Sequence, residues 1–272
     1  MSGEDDARPG LPAETGRRDP ARVFGEVADD YDRVRPAYPA ALVDDVLDYA
    51  GSAVRGRRAL EVGAGTGRAT VAFAAREVPI VAVEPDAAMA DVLTRRIDGM
   101  RGVEVVRSTF EDFRPAERFG LLLSAEAWHW TEPSSRWARA AGALADTAAL
   151  ALIWNNERVD DPARRAAMLR VFADHAPSVV IRDEPVVPDD VWRQWPGEEL
   201  SRRSEFRDLA SRHYRVRRTV SKAAYLGLTR TRSQFRMLPA PTRRDLLAAL
   251  SDLFDDEVPL LVDTALVLAR RR

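Results

Sequence analysis

The 272-residue chain contains no cysteine. Disulfides, thiolate chemistry and cysteine-ligated zinc are therefore excluded. Lysine is almost missing too: Lys222 stands alone among 41 basic residues. The remaining cations are arginines scattered along the whole length, which fits a coding bias better than a set of phosphate forks. Neither sign of charge dominates, since 43 acidic residues leave a net charge of −2. That balance provides no bulk electrostatic footprint for nucleic acid or an anionic membrane. No apolar run approaches the length of a bilayer span. The opening "MSGEDDARPGLPAETGRRDP" lacks a hydrophobic signal region. It is polar and rich in proline and glycine, so residues 1–20 are expected to form a disordered tail. A soluble cytoplasmic protein is expected from these absences.

With 46% hydrophobic residues, the chain can bury a substantial core. Residues 21–272 are expected to form a single domain. Apolar residues at Leu42, Val43, Val46 and Leu47 predict an amphipathic helix stopped by Gly51. "RRALEV" predicts a strand running into a glycine turn, and "TGRATVAFAARE" a helix. "PIVAVEP", "VEVVRST", "FGLLLSAEA" and "TAALALIWN" predict four more strands. Between them lie helices capped by Asp86 and by the serines before Trp137. This alternation over residues 40–156 predicts a doubly wound, mostly parallel α/β sheet.

The rhythm breaks over residues 157–272. "DPARRAAMLRVFADHAP" reads as a helix, and "DEPVVPDDVWRQWPGEE" as an irregular cover. A strand is expected at Tyr214–Val220, followed by a helix capped by Ser221. Thr242 and Asp245 suggest a capping box for a second helix. "PLLVDTALVLARRR" would be a final antiparallel strand. The sequence thus predicts seven strands with a helical and irregular cover.

The chemistry concentrates around "LEVGAGTGRAT". A strand, a glycine turn and a helix start can surround a ligand with backbone N–H groups. No Gly-Lys-Ser/Thr follows, so this is not a P-loop. A dinucleotide turn reads G-x-G-x-x-G/A, but here the third small position is Arg68. Glu61, just before the turn, disfavours a pyrophosphate and suits an ammonium group. Glu84 ends the adjacent strand, where an acidic side chain can accept both ribose hydroxyls. These features indicate an adenosine ligand and disfavour a NAD-dependent oxidoreductase.

At this point the chain resembles the class I S-adenosylmethionine-dependent methyltransferases, of the small-molecule branch that includes trans-aconitate-methyltransferase-like enzymes. The motifs are "LEVGAGTGRAT", "VAVEPD", "STFEDF" and "LLLSAEAWHW", supported by "FGEVADDYDRVRPAYP" and by the C-terminal part. The resemblance implies a Rossmann-like methyltransferase fold and S-adenosyl-L-methionine as cofactor. It implies that Gly63, Gly65 and Gly67 line the methionine part, that Glu61 meets the amino group and that Glu84 holds the ribose. Pro85, Met89, Phe110 and Glu111 would surround the adenine, with Ser124 and Ala125 facing the sulfonium. The segment with Tyr31 and Arg35 would fold over the cofactor, Tyr31 approaching the methyl group or the carboxylate and Arg35 pairing with a carboxylate of cofactor or protein.

Methyl transfer needs alignment and exclusion of water more than it needs a base. His129 stands past the fourth strand and could act as a base; the alternative is an aromatic wall. His175 and His213 are expected to be structural or exposed. Trp128, Trp130, Trp192, Trp195 and Tyr225 suggest an aromatic acceptor pocket, with ordinary packing as the alternative for Trp192 and Trp195. Arg230 could bind an acceptor carboxylate or simply face solvent. The acidic run Asp255–Glu257 forms no metal constellation, so no metal is expected. The expected partner is a small-molecule acceptor, with no nucleic acid or membrane. An RNA or protein methyltransferase, and an inactive cofactor-binding protein, are the readings left open. Oligomeric state is not legible.

Overall fold

The computed structural model describes residues 28–181, 191 and 195–272. The expected N-terminal tail, Trp192 and most of the irregular cover segment lie outside these residues. A seven-stranded sheet runs through the molecule in the order β3-β2-β1-β4-β5-β7-β6. Strands β1 (Ala59–Val62), β2 (Ile80–Val83), β3 (Val103–Val106), β4 (Phe119–Ala125) and β5 (Leu144–Val159) pair in parallel. β7 (Glu257–Arg271) lies antiparallel between β5 and β6 (Phe206–Ser221). The expected doubly wound sheet with one reversed strand is the observed topology.

The pleat divides the apolar runs between two faces. In β4, Leu121 and Leu123 join one core with Leu42 and Val46 of α2 (Ala40–Ala50) and Phe73 of α3 (Arg68–Ala74). Leu122 joins the opposite core with Trp128 and with Trp137 of α5 (Arg136–Ala143). Asp86 caps α4 (Ala87–Arg96) by accepting from the Met89 amide at 3.0 Å. Ser135 precedes α5, but its side chain makes no cap hydrogen bond.

Two strands are much longer than the sequence pattern suggested. β5 has 16 residues and pairs with β7 from Ala149–Arg270 to Val159–Leu260. β6 starts at Phe206, eight positions before the expected Tyr214, because its exposed, arginine-rich residues carry no apolar signature. The far ends of these strands carry a third core. There Val159, Val258 and Leu260 pack against α6 (Pro162–His175), α8 (Lys222–Arg230), α9 (Ser233–Met237) and α10 (Ala240–Leu253). Ser221 caps α8 as expected. α10 begins at Ala240 behind Pro239, so Thr242 sits inside the helix and the expected capping box is not its start. Three short helices went unforeseen: α1 (Ala28–Val34), α7 (Gly197–Ser201) and α9. No helix among the described residues is long and apolar enough to cross a membrane.

The β4–β5 register shifts between Phe119 and Leu121, and within this irregularity Thr147 has φ of +64°. A β-branched residue is strained in the left-handed region. Thr147→Gly is therefore expected to raise stability by about 1 kcal/mol, read as a higher melting temperature.

Candidate functional site

The C-terminal ends of β1, β2 and β4 open onto a cavity of about 260 Å³. This is the edge where open α/β sheets bind ligands. Glu61, Gly63, Gly65, Glu84, Pro85, Met89, Phe110, Glu111, Ala125, Trp130 and Tyr31 line it, as the motifs implied. Tyr38, Arg68, Thr66 and Glu126 also line it and were not singled out as site residues.

Four amides of the glycine turn are engaged inside the protein. The Gly63 and Ala64 amides both donate to the Val83 carbonyl, at 2.9 and 3.1 Å. The Gly67 amide donates to the Ala64 carbonyl at 2.9 Å, and the Gly65 amide to Glu84 Oε2 at 2.7 Å. A phosphate would find these donors taken. The glycines serve close approach instead. A Cβ on Gly63 would collide with the Ala127 methyl group, and one on Gly67 with Leu93 of α4. Gly67 thus seats a helix and is absent from the cavity wall. Gly65 has φ of +57° and open space where its Cβ would stand.

Two buried carboxylates form the polar floor. Glu61 accepts from Thr70 Oγ1 at 2.6 Å, and burial pushes its carboxyl up to about 8. Glu84 accepts from the Asp86 and Gly65 amides, at 2.9 and 2.7 Å. Burial still raises it to about 7 against those hydrogen bonds. The Thr66 hydroxyl is also buried on this wall and has no hydrogen-bond partner among the described residues. The donor set suits a ligand bearing a cation and hydroxyls, not an anion.

The raised carboxyl values carry a sign. The folded protein holds protons on Glu61 and Glu84 that the unfolded chain has lost above the ordinary glutamate value of 4.5. Stability of the free protein therefore falls as pH rises from about 5 towards 8. Glu61→Gln should remove most of that slope and stabilise the free protein at pH 8 by roughly 1–3 kcal/mol. Thermal melts across this range check both outcomes.

The N-terminal segment folds over the cavity, held chiefly by Arg68. The last carbonyls of a helix have no partner within it. Arg68 donates to the carbonyls of Asp32 at 2.7 Å, Pro36 at 3.1 Å and Arg35. Tyr31 of α1 packs on Met89 and Val92 of α4. Arg35 stands outside the cavity lining. It lies over the Tyr31 ring at 5.0 Å, donates to Thr231 Oγ1 at 3.1 Å and pairs with Glu157 at 3.7 Å. It anchors the segment and does not face the cavity.

Several other expected residues lie elsewhere. The Ser124 hydroxyl donates to the Val62 carbonyl at 2.8 Å, tying β4 to β1. Trp128 is fully buried, 5.2 Å from the Trp137 ring. Its side chain turns into the core because the tryptophan pair straddles a tight 3-10 turn. His129 is exposed, 4.6 Å from Trp130 and 6.4 Å from Trp195, and is not a cavity residue. Tyr225 belongs to the distal core, donating to Met168 Sδ at 2.8 Å beside Phe254. Arg230 is exposed at the end of α8. Glu111 lines the cavity, with Oε1 accepting from the Glu132 amide at 2.7 Å.

Residues 59–147 match the family described as "Methyltransferase domain". An uncharacterized methyltransferase of Mycobacterium tuberculosis is 34% identical over 139 residues, 51% of this chain and 54% of that protein. A Saccharomyces cerevisiae protein assigned as the S-adenosylmethionine-dependent methyltransferase CRG1 is 30% identical over 108 residues, 37% of this chain and 35% of that one. The chain spans about half the length of the mycobacterial relative it matches. Among solved structures, a protein assigned as a type II methyltransferase from Anaeromyxobacter dehalogenans superposes with a TM-score of 0.57. It is 22% identical and covers 88% of this chain and 97% of its own. Residues 59–147 are thus similar to methyltransferase domains, and the chain shares the Rossmann-like fold of that solved structure.

Proposed function

We propose that this protein is an S-adenosylmethionine-dependent methyltransferase acting on a small-molecule acceptor. One observation carries the reading. The amides of Gly63, Ala64, Gly65 and Gly67 are engaged inside the protein, while Glu61 and Glu84 present buried carboxyl groups to the cavity. Such a floor rejects pyrophosphate and suits an ammonium group with ribose hydroxyls. Glu84 would hold the ribose and Glu61 the amino group. Pro85, Met89 and Phe110 would enclose the adenine, with Ala125 and Tyr31 facing the reacting end. When bound, the cofactor supplies a sulfonium-activated methyl group for in-line displacement. The chain's own contribution is alignment under α1 and exclusion of water. The small-molecule acceptor is supported by the cover that α1 and Arg68 place over the cavity, and by the lack of a bulk basic charge. A site in the cytoplasm belongs to the same reading.

Thermal melts with S-adenosylhomocysteine and with NAD test it. S-adenosylhomocysteine at 100 times its dissociation constant should stabilise the fold by about 2.7 kcal/mol, a shift of several degrees. A shift with NAD alone would overturn the proposal.

A further inference from the structure

The cofactor reading leaves one acidic residue of the cavity without a task. Glu126 follows the last residue of β4 and has φ of +62°. Strain of this kind on a non-glycine residue concentrates at functional sites. Its backbone is fixed from two sides. The Glu126 amide donates to the Ile153 carbonyl at 2.9 Å, and its Oε1 accepts from the Asn155 amide. The carboxylate is thereby held on the cavity wall together with the phenols of Tyr31 and Tyr38.

The other acidic side chains of the molecule's ligand edge gather here as well. Glu61, Glu84, Asp86 and Glu111 line the cavity, and Arg68 is the only lining cation among the described residues. Arg68 is committed to three backbone carbonyls and to Asp32 at 3.7 Å. Arg35 is engaged by Glu157 and Thr231 outside the lining. An acceptor carboxylate or phosphate would meet acidic side chains and, among the described residues, no cation of the lining that is not already committed. Tyr38 stays a neutral phenol, since burial and then the Glu126 charge push it well above its ordinary value. The same factors raise Tyr31, with Arg35 opposing them.

We propose that Glu126 is the acceptor-recognition residue, and that the acceptor presents a cationic nitrogen, an amine, to Glu126 and the flanking tyrosines. This rests on the methyltransferase reading and sharpens it to the substrate class. It replaces the carboxylate-bearing acceptor that Arg230 had suggested.

Titration calorimetry with phenethylamine, phenethyl alcohol and 3-phenylpropionate tests it, with S-adenosylhomocysteine saturating. Phenethylamine should bind tightest. Glu126→Gln keeps an oxygen for the Asn155 amide and should weaken phenethylamine roughly tenfold or more. Glu126→Gly relieves the positive φ, so it should fold at least as stably and show the same loss. S-adenosylhomocysteine affinity should be unchanged in both variants. The proposal is overturned if 3-phenylpropionate binds as tightly as the amine, if no probe binds, or if both variants keep the amine affinity. Failure of the cofactor reading looks different: S-adenosylhomocysteine itself would not bind. The probes are then titrated into the free protein, where the same ranking supports the subsite and its absence refutes it.

Discussion

Glu84→Ala is expected to weaken S-adenosylhomocysteine by roughly 100-fold or more while the protein stays folded. The carboxylate sits at the tip of β2 and holds the Gly65 and Asp86 amides. It therefore sets both the turn beneath the ligand and the start of α4. On the proposed reading, alanine removes the acceptors for two ribose hydroxyls and also releases the turn, so the losses combine. The fold survives because burial already disfavours the charged carboxyl, which is raised to about 7. Deleting it removes that cost above neutral pH. Glu84→Gln keeps one acceptor oxygen and should fall between the two. Calorimetry gives the affinities and a thermal melt gives the fold; unchanged affinity in the alanine variant refutes the ribose role.

The second large effect lies away from the cavity. Asp263 of β7 is fully buried between two arginine-bearing strands. It receives Arg215 Nε at 2.7 Å and His213 Nε2 at 2.8 Å from β6, and Arg158 at 3.4 Å from β5. Burial pushes its carboxyl up, but Arg215 and His213 more than offset that, so it ionises below the ordinary value. Removing the carboxylate takes the shared acceptor from the nearly buried His213 and the buried Arg158, while Arg215, 43% exposed, turns to solvent, so the cost is about 2–3 kcal/mol. Asp263→Ala should lose that much in denaturant unfolding. Because the folded value is depressed, the Asp263 contribution is present above about pH 4 and is lost on acidification through its folded value. A variant as stable as the parent would show that the network adds nothing.

These two residues mark the boundary of what the sequence discloses. Glu84 was legible because a short apolar run places it at a strand tip, 21 residues after Gly63. The parallel strands were legible for the same reason: both faces are covered, so their runs are continuous. The Asp263 network was not, because its partners come from strands far apart in sequence. Nor was the early start of β6, whose polar edge residues follow no apolar period. The tryptophans of "AWHW" show the limit within a single motif. Trp128 enters the core and Trp130 the cavity wall, a choice made by a 3-10 turn and not by residue type. Arg68 read only as the wrong residue for a dinucleotide turn. Its positive role, capping α1 across the cavity, depends on a helix that the sequence pattern did not announce. Glu126 left no signal at all, since its importance lies in a backbone angle and in its neighbours.

The central claim is that the cavity above Glu61 and Glu84 is an S-adenosylmethionine site. A crystal structure of the protein grown with S-adenosylhomocysteine tests it most directly. The account predicts the ribose hydroxyls on the Glu84 carboxylate, the amino group near Glu61 and the adenine against Met89 and Phe110. Ligand density elsewhere, or in this cavity with the ribose away from Glu84, would contradict it.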